Sequence, residues 1–311
     1  MDEASRFVIA SSEVETMAKN AKVSAVQLLP SLVPSAQALA RPPISQYHVG
    51  AVGLGSSGRV FLGGNVEFPG VPLHQSIHAE QFLVTNAALH SEPHLPHLAV
   101  SSAPCGHCRQ FLQELRSATR IEICITSSPP PPCHHDPKPM FKPISHFLPD
   151  RFGPDDLLHK DVPLILEPHH NGLAFWDHHS NVDVESSNGW VDLEGELGGA
   201  ALEAANGSHA PYSGCPSGVA MMDSEGRVYK GSYMESAAYN PSLGPVQAAL
   251  VAYIVGAGGD YGGIKRVVLV EKKDAVVRQE GMARLLLHSI SPHCDFHVLT
   301  CVSSNNSRFD H

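Results

Sequence analysis

Along the first forty residues the apolar positions recur at helical spacing. Val26, Leu29, Leu32 and Val33 follow one another three and four apart, the period of one helix face. Ser12 followed by Glu15 has the form of a capping box, and Pro34 is expected to kink or end the helix. The pattern then shortens to that of strands. Residues 47–54 and 60–62 read as a pair joined by the turn Gly55-Ser56-Ser57-Gly58. A helix is expected over 76–89, a buried strand over 97–102, a helix over 105–115 and a strand over 121–126. Such alternation indicates an α/β layered sandwich. Residues 127–139 are proline-rich and suit neither a helix nor a central strand. A second strand-rich α/β unit starts near 193 and runs to about 302, and the tail from about Ser303 is expected to be disordered.

With 311 residues, the chain is comfortable as two domains. The expected division is 1–160 (core about 24–150), a linker over 161–190, and 191–311. A formal charge of −10 lacks the basic footprint of a polynucleotide binder, and no apolar run is long enough to cross a membrane. The seven cysteines are odd in number and sparse, so a disulfide scaffold is not expected. The opening residues show no secretory signal, and the reading is a cytosolic protein. The pairs His169–His170 and His178–His179 read as solvated loop histidines.

Two short segments carry chemistry: His78-Ala79-Glu80 and Pro104-Cys105-Gly106-His107-Cys108. A Cys-x-x-Cys by itself fits a redox pair or half of a structural zinc site. Preceded by His-x-Glu it has the form found in zinc deaminases. His78, Cys105 and Cys108 would supply three ligands and leave a fourth tetrahedral position to water. Zinc lowers the pKa of such a water from 15.7 to roughly 7. Glu80 is placed to reach that water without binding the metal, and His107 is expected to be structural.

The stretches 63–70, 76–81, 103–115 and 147–157, with 204–220 and 231–250, resemble the large two-domain homodimeric cytidine deaminases of bacteria and plants. The resemblance implies a duplicated three-layer α/β/α deaminase domain, a mixed sheet with helices on both faces, preceded by a short N-terminal helical segment. It implies one zinc per subunit and hydrolytic deamination of free cytidine and 2′-deoxycytidine, with Glu80 as proton donor and acceptor. Asn65 and Glu67 match the family's ribose-binding pair, and Tyr47 falls where an aromatic ring meets the base. It also implies a homodimer whose sites are completed by the partner chain, with Ala238 and Tyr239 as candidates. A polynucleotide cytosine deaminase is the alternative chemistry, and a zinc-stabilised interaction protein the alternative without catalysis.

The second half repeats the first. Pro43, Gly50, Gly58-Arg59-Val60, Gly63 and Glu67 recur at constant spacing as Pro211, Gly218, Gly226-Arg227-Val228, Gly231 and Glu235, the mark of a duplicated domain. In that frame Asn65 becomes Tyr233, His78 becomes Gly244, Glu80 becomes Val246, and Cys105 and Cys108 become Asp274 and Val277. The second copy is therefore expected to be catalytically empty.

Overall fold

Met1–Glu167 and Ser236–Ser242 form one unit, Pro168–Glu235 and Leu243–His311 the other. The computed structural model describes residues 7–127, 139–176, 193–257 and 259–304. In the first unit six strands make a mixed sheet: β1 (Val8–Ile9), β2 (Gly50–Leu54), β3 (Val60–Gly64), β4 (His97–Val100), β5 (Glu122–Ile125) and β6 (Phe141–Pro143). Their order is β1-β3-β2-β4-β5-β6. Only β4 and β5 run parallel, as their connection through α4 (Gly106–Phe111) requires. The other helices are α1 (Ser11–Ala21), α2 (Ala25–Ala38), α3 (Ala79–Leu89) and the single turns α5 (Ile144–Phe147) and α6 (Pro154–Leu157).

The alternation along β3 places one helix on each face. Val60 and Leu62 pack with Leu28, Leu29, Leu32, Val33 and Ala36 of α2. A Cβ on intervening Gly63 would lie 2.4 Å from Ala79 O and 2.6 Å from Leu83 N of α3. Glycine here lets the helix backbone rest on the strand.

The expected first helix is two helices. Lys22 adopts φ 55° and ends α1. The capping box belongs to Ser24 and Gln27, whose side chains accept from each other's backbone N–H at 3.2 and 3.0 Å; the Ser12–Glu15 expectation fails because α1 starts at Ser11 with Ala10 as its uncapped N-cap. Nor does Pro34 end the helix, since Pro30 and Pro34 both lie inside α2. The prolines sit on its more open side while five apolar residues are buried on the other, and that burial outweighs two missing donors.

The second unit holds β7 (Leu173–Phe175), β8 (Ser217–Asp223), β9 (Val228–Ser232), β10 (Ile264–Lys272) and β11 (Asp295–Ser303), ordered β7-β11-β10-β8-β9. Again one neighbouring pair, β10 and β11, is parallel. Its helices are α7 (Gly198–Asn206), α8 (Pro245–Ala257) and α9 (Glu280–Ile290). A Cβ on Gly231 would lie 2.1 Å from Ala249 N of α8, as Gly63 meets α3. A Cβ on Gly218 would lie 2.1 Å from Ala205 N of α7, as one on Gly50 would meet Gln37 N of α2 at 2.6 Å. The fold is thus a duplicated α/β domain with mixed sheets. α2 stands where α7 stands and belongs to the layers, so only α1 and β1 precede the repeated plan.

The ends of the expected linker are structured. Ile165 N donates to Glu114 O, and Arg116 reaches the carbonyls of Lys160 and Val162 and the Glu167 carboxylate. Leu173–Phe175 pairs with β11. Ser303 is also a strand residue, so the expected tail starts too early. The proline-rich residues 128–138, His178–His179 and residues 305–311 lie outside the described residues. No helix among the described residues is long and apolar enough to cross a membrane.

Candidate metal and substrate site

Two helix starts bring the His-x-Glu and Cys-x-x-Cys segments together. His78 is the N-cap of α3 and Cys105 the N-cap of α4, both in extended backbone. Glu80 and Cys108 therefore lie in the first turns. His78 Nδ1 is 3.4 Å from Cys105 Sγ and 3.3 Å from Cys108 Sγ. Tetrahedral zinc, with Zn–N and Zn–S bonds of about 2.0 and 2.3 Å, sets nitrogen and sulfur about 3.5 Å apart. The donor set fits that ion. With His107, the potential ligand atoms lie within 4.8 Å of one another, the one such His/Cys/Asp/Glu group among the described residues. His169 and His170 belong to no such group. His169, instead of being a solvated loop residue, is half-buried against the His209 ring.

Charge follows from the same contacts. The Cys105 thiol is pulled down to about 3, first by its hydrogen bond with Cys108 and then by His78, against a cost of burial. The Cys108 thiol, bonded to Cys105 and buried, is pushed well above the ordinary value. Cys105 raises the His78 imidazole in turn. Burial pushes up the Glu80 carboxyl, which is 4% exposed and 3.3 Å from Cys108 Sγ. His107 stacks on His78 with ring centroids 4.9 Å apart, and its Nε2 is 3.1 Å from Asn240 O.

Val66 and Ile77 exchange two backbone hydrogen bonds of 2.8 Å. This stitches the 65–67 turn to the residue before His78. Asn65 Oδ1 accepts from Val49 N at 2.9 Å, and its Nδ2 donates to Tyr47 O at 3.0 Å. Glu67 accepts from the backbone of Ile44 and Ser45 and from the Ser45 hydroxyl. Burial pushes the Glu67 carboxyl up, but these bonds outweigh it and hold it below 4.5. Tyr47 precedes β2 and is 60% exposed, its hydroxyl 2.8 Å from Ser102 Oγ. It is no core residue.

Two supporting side chains escape a motif reading. Gln81 accepts from His78 N at 3.2 Å and donates to Pro241 O at 2.9 Å. Arg109 donates to Pro104 O at 2.7 Å and Phe147 O at 2.9 Å, bracing the turn that carries Cys105. Their recurrence as Gln247 and Arg278, and their place in the stretches 76–81 and 103–115, are the signals in the sequence. Ala238 and Tyr239, expected to reach a partner's site, belong to the first unit of their own chain, where the adjacent Ala237 N donates to Glu114 Oε1 at 2.7 Å.

Residues 24–124 and 144–284 each match a family model described as a cytidine and deoxycytidylate deaminase zinc-binding region. The chain is 59% identical to Cytidine deaminase 1 of Arabidopsis thaliana over 95% of its own length and 97% of that protein's. The chain belongs to the cytidine deaminase family. Cytidine deaminase of Photorhabdus laumondii is 40% identical over 84% of this chain and 78% of its own. The crystal structure of cytidine deaminase from Mycobacterium tuberculosis covers 40% of this chain and 95% of its own at 30% identity, with a TM-score of 0.33. The metal of this deaminase is zinc. The second match spans Gly244, Asp274 and Val277, where the ligand chemistry is gone but Gln247 still accepts from Gly244 N at 2.8 Å.

Proposed function

We propose that the first unit hydrolyses the amino group of free cytidine and 2′-deoxycytidine, giving the uridine nucleosides and ammonia. His78, Cys105 and Cys108 would hold the zinc, which when bound supplies an acidified water and positive charge at the reacting carbon. The observation that carries this reading is Glu80: a buried carboxyl at the edge of a His/Cys/Cys cluster, 3.3 Å from Cys108 Sγ. Its raised pKa suits it to accept the water's proton and deliver it to the ring N3, then to take the proton of the new C4 hydroxyl and pass it to the amine as that group leaves. Asn65 and Glu67 hold the sugar hydroxyls, the amide able to donate and accept and the carboxylate to accept. The exposed Tyr47 ring covers the base.

We place the reaction in nucleoside salvage by a cytosolic homodimer. Supporting that setting, the described cysteines are all without disulfides, as in a reducing compartment. Support for free nucleosides comes from the net charge of −10 and from Glu67, which would repel a 5′-phosphate. Turnover of cytidine, deoxycytidine, CMP and a cytosine-containing oligonucleotide by the purified protein, with zinc measured beside ammonia release, tests the reading. Nucleosides should be far better substrates than CMP or the oligonucleotide. Comparable specificity constants for CMP, or deamination of the oligonucleotide alone, would overturn it, and zinc without ammonia would make the protein a binding module.

A further inference from the structure

One hydroxyl joins all three residues assigned to the substrate side. Ser45 Oγ donates to Glu67 Oε1 at 2.5 Å and accepts from Tyr47 N at 3.1 Å. Ser45 N and Ile44 N donate to Glu67 Oε2 at 2.8 and 2.9 Å. The Tyr47 carbonyl in turn accepts from Asn65 Nδ2. Glu67, Tyr47 and Asn65 are therefore linked in one hydrogen-bonded chain that runs through Ser45.

The second unit contains the same clamp in a different setting. Glu235 accepts from Tyr212 N at 2.9 Å, from Ser213 N at 3.1 Å and from the Ser213 hydroxyl, which also accepts from Cys215 N at 3.1 Å. There the carboxylate is 3% exposed and Tyr233 occupies the position of Asn65. Glu67 is only half-buried and its clamp lies in an exposed loop. A carboxylate offers about four acceptor directions. Three are used at Glu67, so one remains. The shared clamp braces a hairpin in both units; only the first couples it to an amide, a half-buried rather than buried carboxylate and an open ring.

We propose that Ser45 is a positioning residue for sugar recognition, fixing the Glu67 carboxylate for a ribose hydroxyl while aligning Tyr47 and Asn65. The inference rests on the assignment of Glu67 and Asn65 to the sugar. A preset acceptor saves the ordering that a mobile glutamate would need on binding.

The test compares cytidine with 2′,3′-dideoxycytidine, which lacks those hydroxyls, on the full-length zinc-loaded protein. Ser45→Ala is expected to raise KM for cytidine about tenfold, in line with loss of one charge-assisted hydrogen bond. Its kcat should stay within about twofold, the signature of lost uniform binding, and the preference for cytidine over the dideoxy analogue should narrow by the KM factor. Ser45→Thr, which keeps the hydroxyl, restores both. Ser213→Ala is the internal control: it removes the same clamp where there is no ligand set, and should lower the melting temperature similarly without moving KM. If Ser45→Ala and Ser213→Ala change melting temperature alike and leave KM and discrimination unchanged, Ser45 only braces its hairpin and the inference is overturned. Ser45→Cys takes the place of the alanine variant if that one does not fold. Glu67→Gln separates the two layers of the argument. No change in KM or discrimination there means the sugar assignment is wrong; a raised KM there with an inert Ser45→Ala means the positioning role alone is wrong.

Discussion

Glu80 and Glu67 show how neighbours set two carboxylates to different tasks. Glu80 meets a thiol and is sealed from water, so burial dominates and its proton is held more tightly. Glu67 meets three N–H and O–H donors, which favour its charge. The first suits proton transfer and the second steady acceptance. Replacing Glu80 with Gln keeps the shape and removes the proton traffic. The Glu80→Gln protein is expected to retain its zinc and lose about 10²–10⁴-fold in kcat. Metal analysis beside steady-state kinetics checks this, and near-normal turnover would remove Glu80 from the mechanism. His107 stacks on His78 and sets its Nε2 against Asn240 O; if it is structural, as the motif leads one to expect, His107→Ala should keep zinc bound to each chain. Loss of the metal from that variant would make His107 a ligand.

Among the elements, the β2–β3 hairpin shows how a polar cluster fixes a turn. The Glu92 side chain is fully buried. It accepts from Ser56 Oγ, Ser57 N and Arg59 Nη2 at 3.0 Å each, and from the Ser57 hydroxyl. Burial pushes its carboxyl up, but the bonds from Ser57, Ser56 and Arg59 outweigh that and hold it below 4.5. A depressed folded pKa gives stability that is present above the unfolded value and lost as pH falls through the folded one. Glu92→Gln turns an acceptor into a donor facing donors and should cost about 2 kcal/mol at pH 7. In urea denaturation the gap to the parent protein should close as pH falls below 4.5. A gap independent of pH would mean the loss is one of packing alone.

For the whole molecule, duplication separates what holds the fold from what performs the chemistry. Gly231, Gln247, Arg278 and Glu235 each keep at least one contact of Gly63, Gln81, Arg109 and Glu67, while the metal ligands have no counterparts. Zinc should therefore titrate to one per chain, and removal of His78 by His78→Ala should abolish it without a second site emerging. Two zincs per chain would show ligands in the second copy that the sequence frame does not reveal. Much of this was legible in the residues themselves. The zinc motif needs fixed residue types at fixed spacing, and the repeat needs glycine wherever a helix backbone touches a strand. What could not be read was tertiary. Ser24 rather than Ser12 caps a helix because Lys22 turns left-handed between two helices. Leu173–Phe175 gained a strand partner far along the chain, Leu173 pairing with Ser303 and Phe175 with Cys301. Ser45 has no motif of its own, since its meaning lies in the carboxylate it touches.

The two prolines of α2 have a consequence in time. Pro34 has no N–H to offer the Pro30 carbonyl, and Pro30 none to offer Val26, so the middle of the helix lacks two links of its ladder, one turn apart. Such a segment has little tendency to nucleate alone. It becomes worth forming only when Val52, Val60 and Leu62 already present an apolar surface for Leu29 and Val33. The order of events should then run from the β2–β3 hairpin to the helix. In pulse-labelled hydrogen exchange during refolding, amides of β2 and β3 are expected to gain protection before those of α2. Protection of α2 first would mean that the helix, prolines included, guides the sheet.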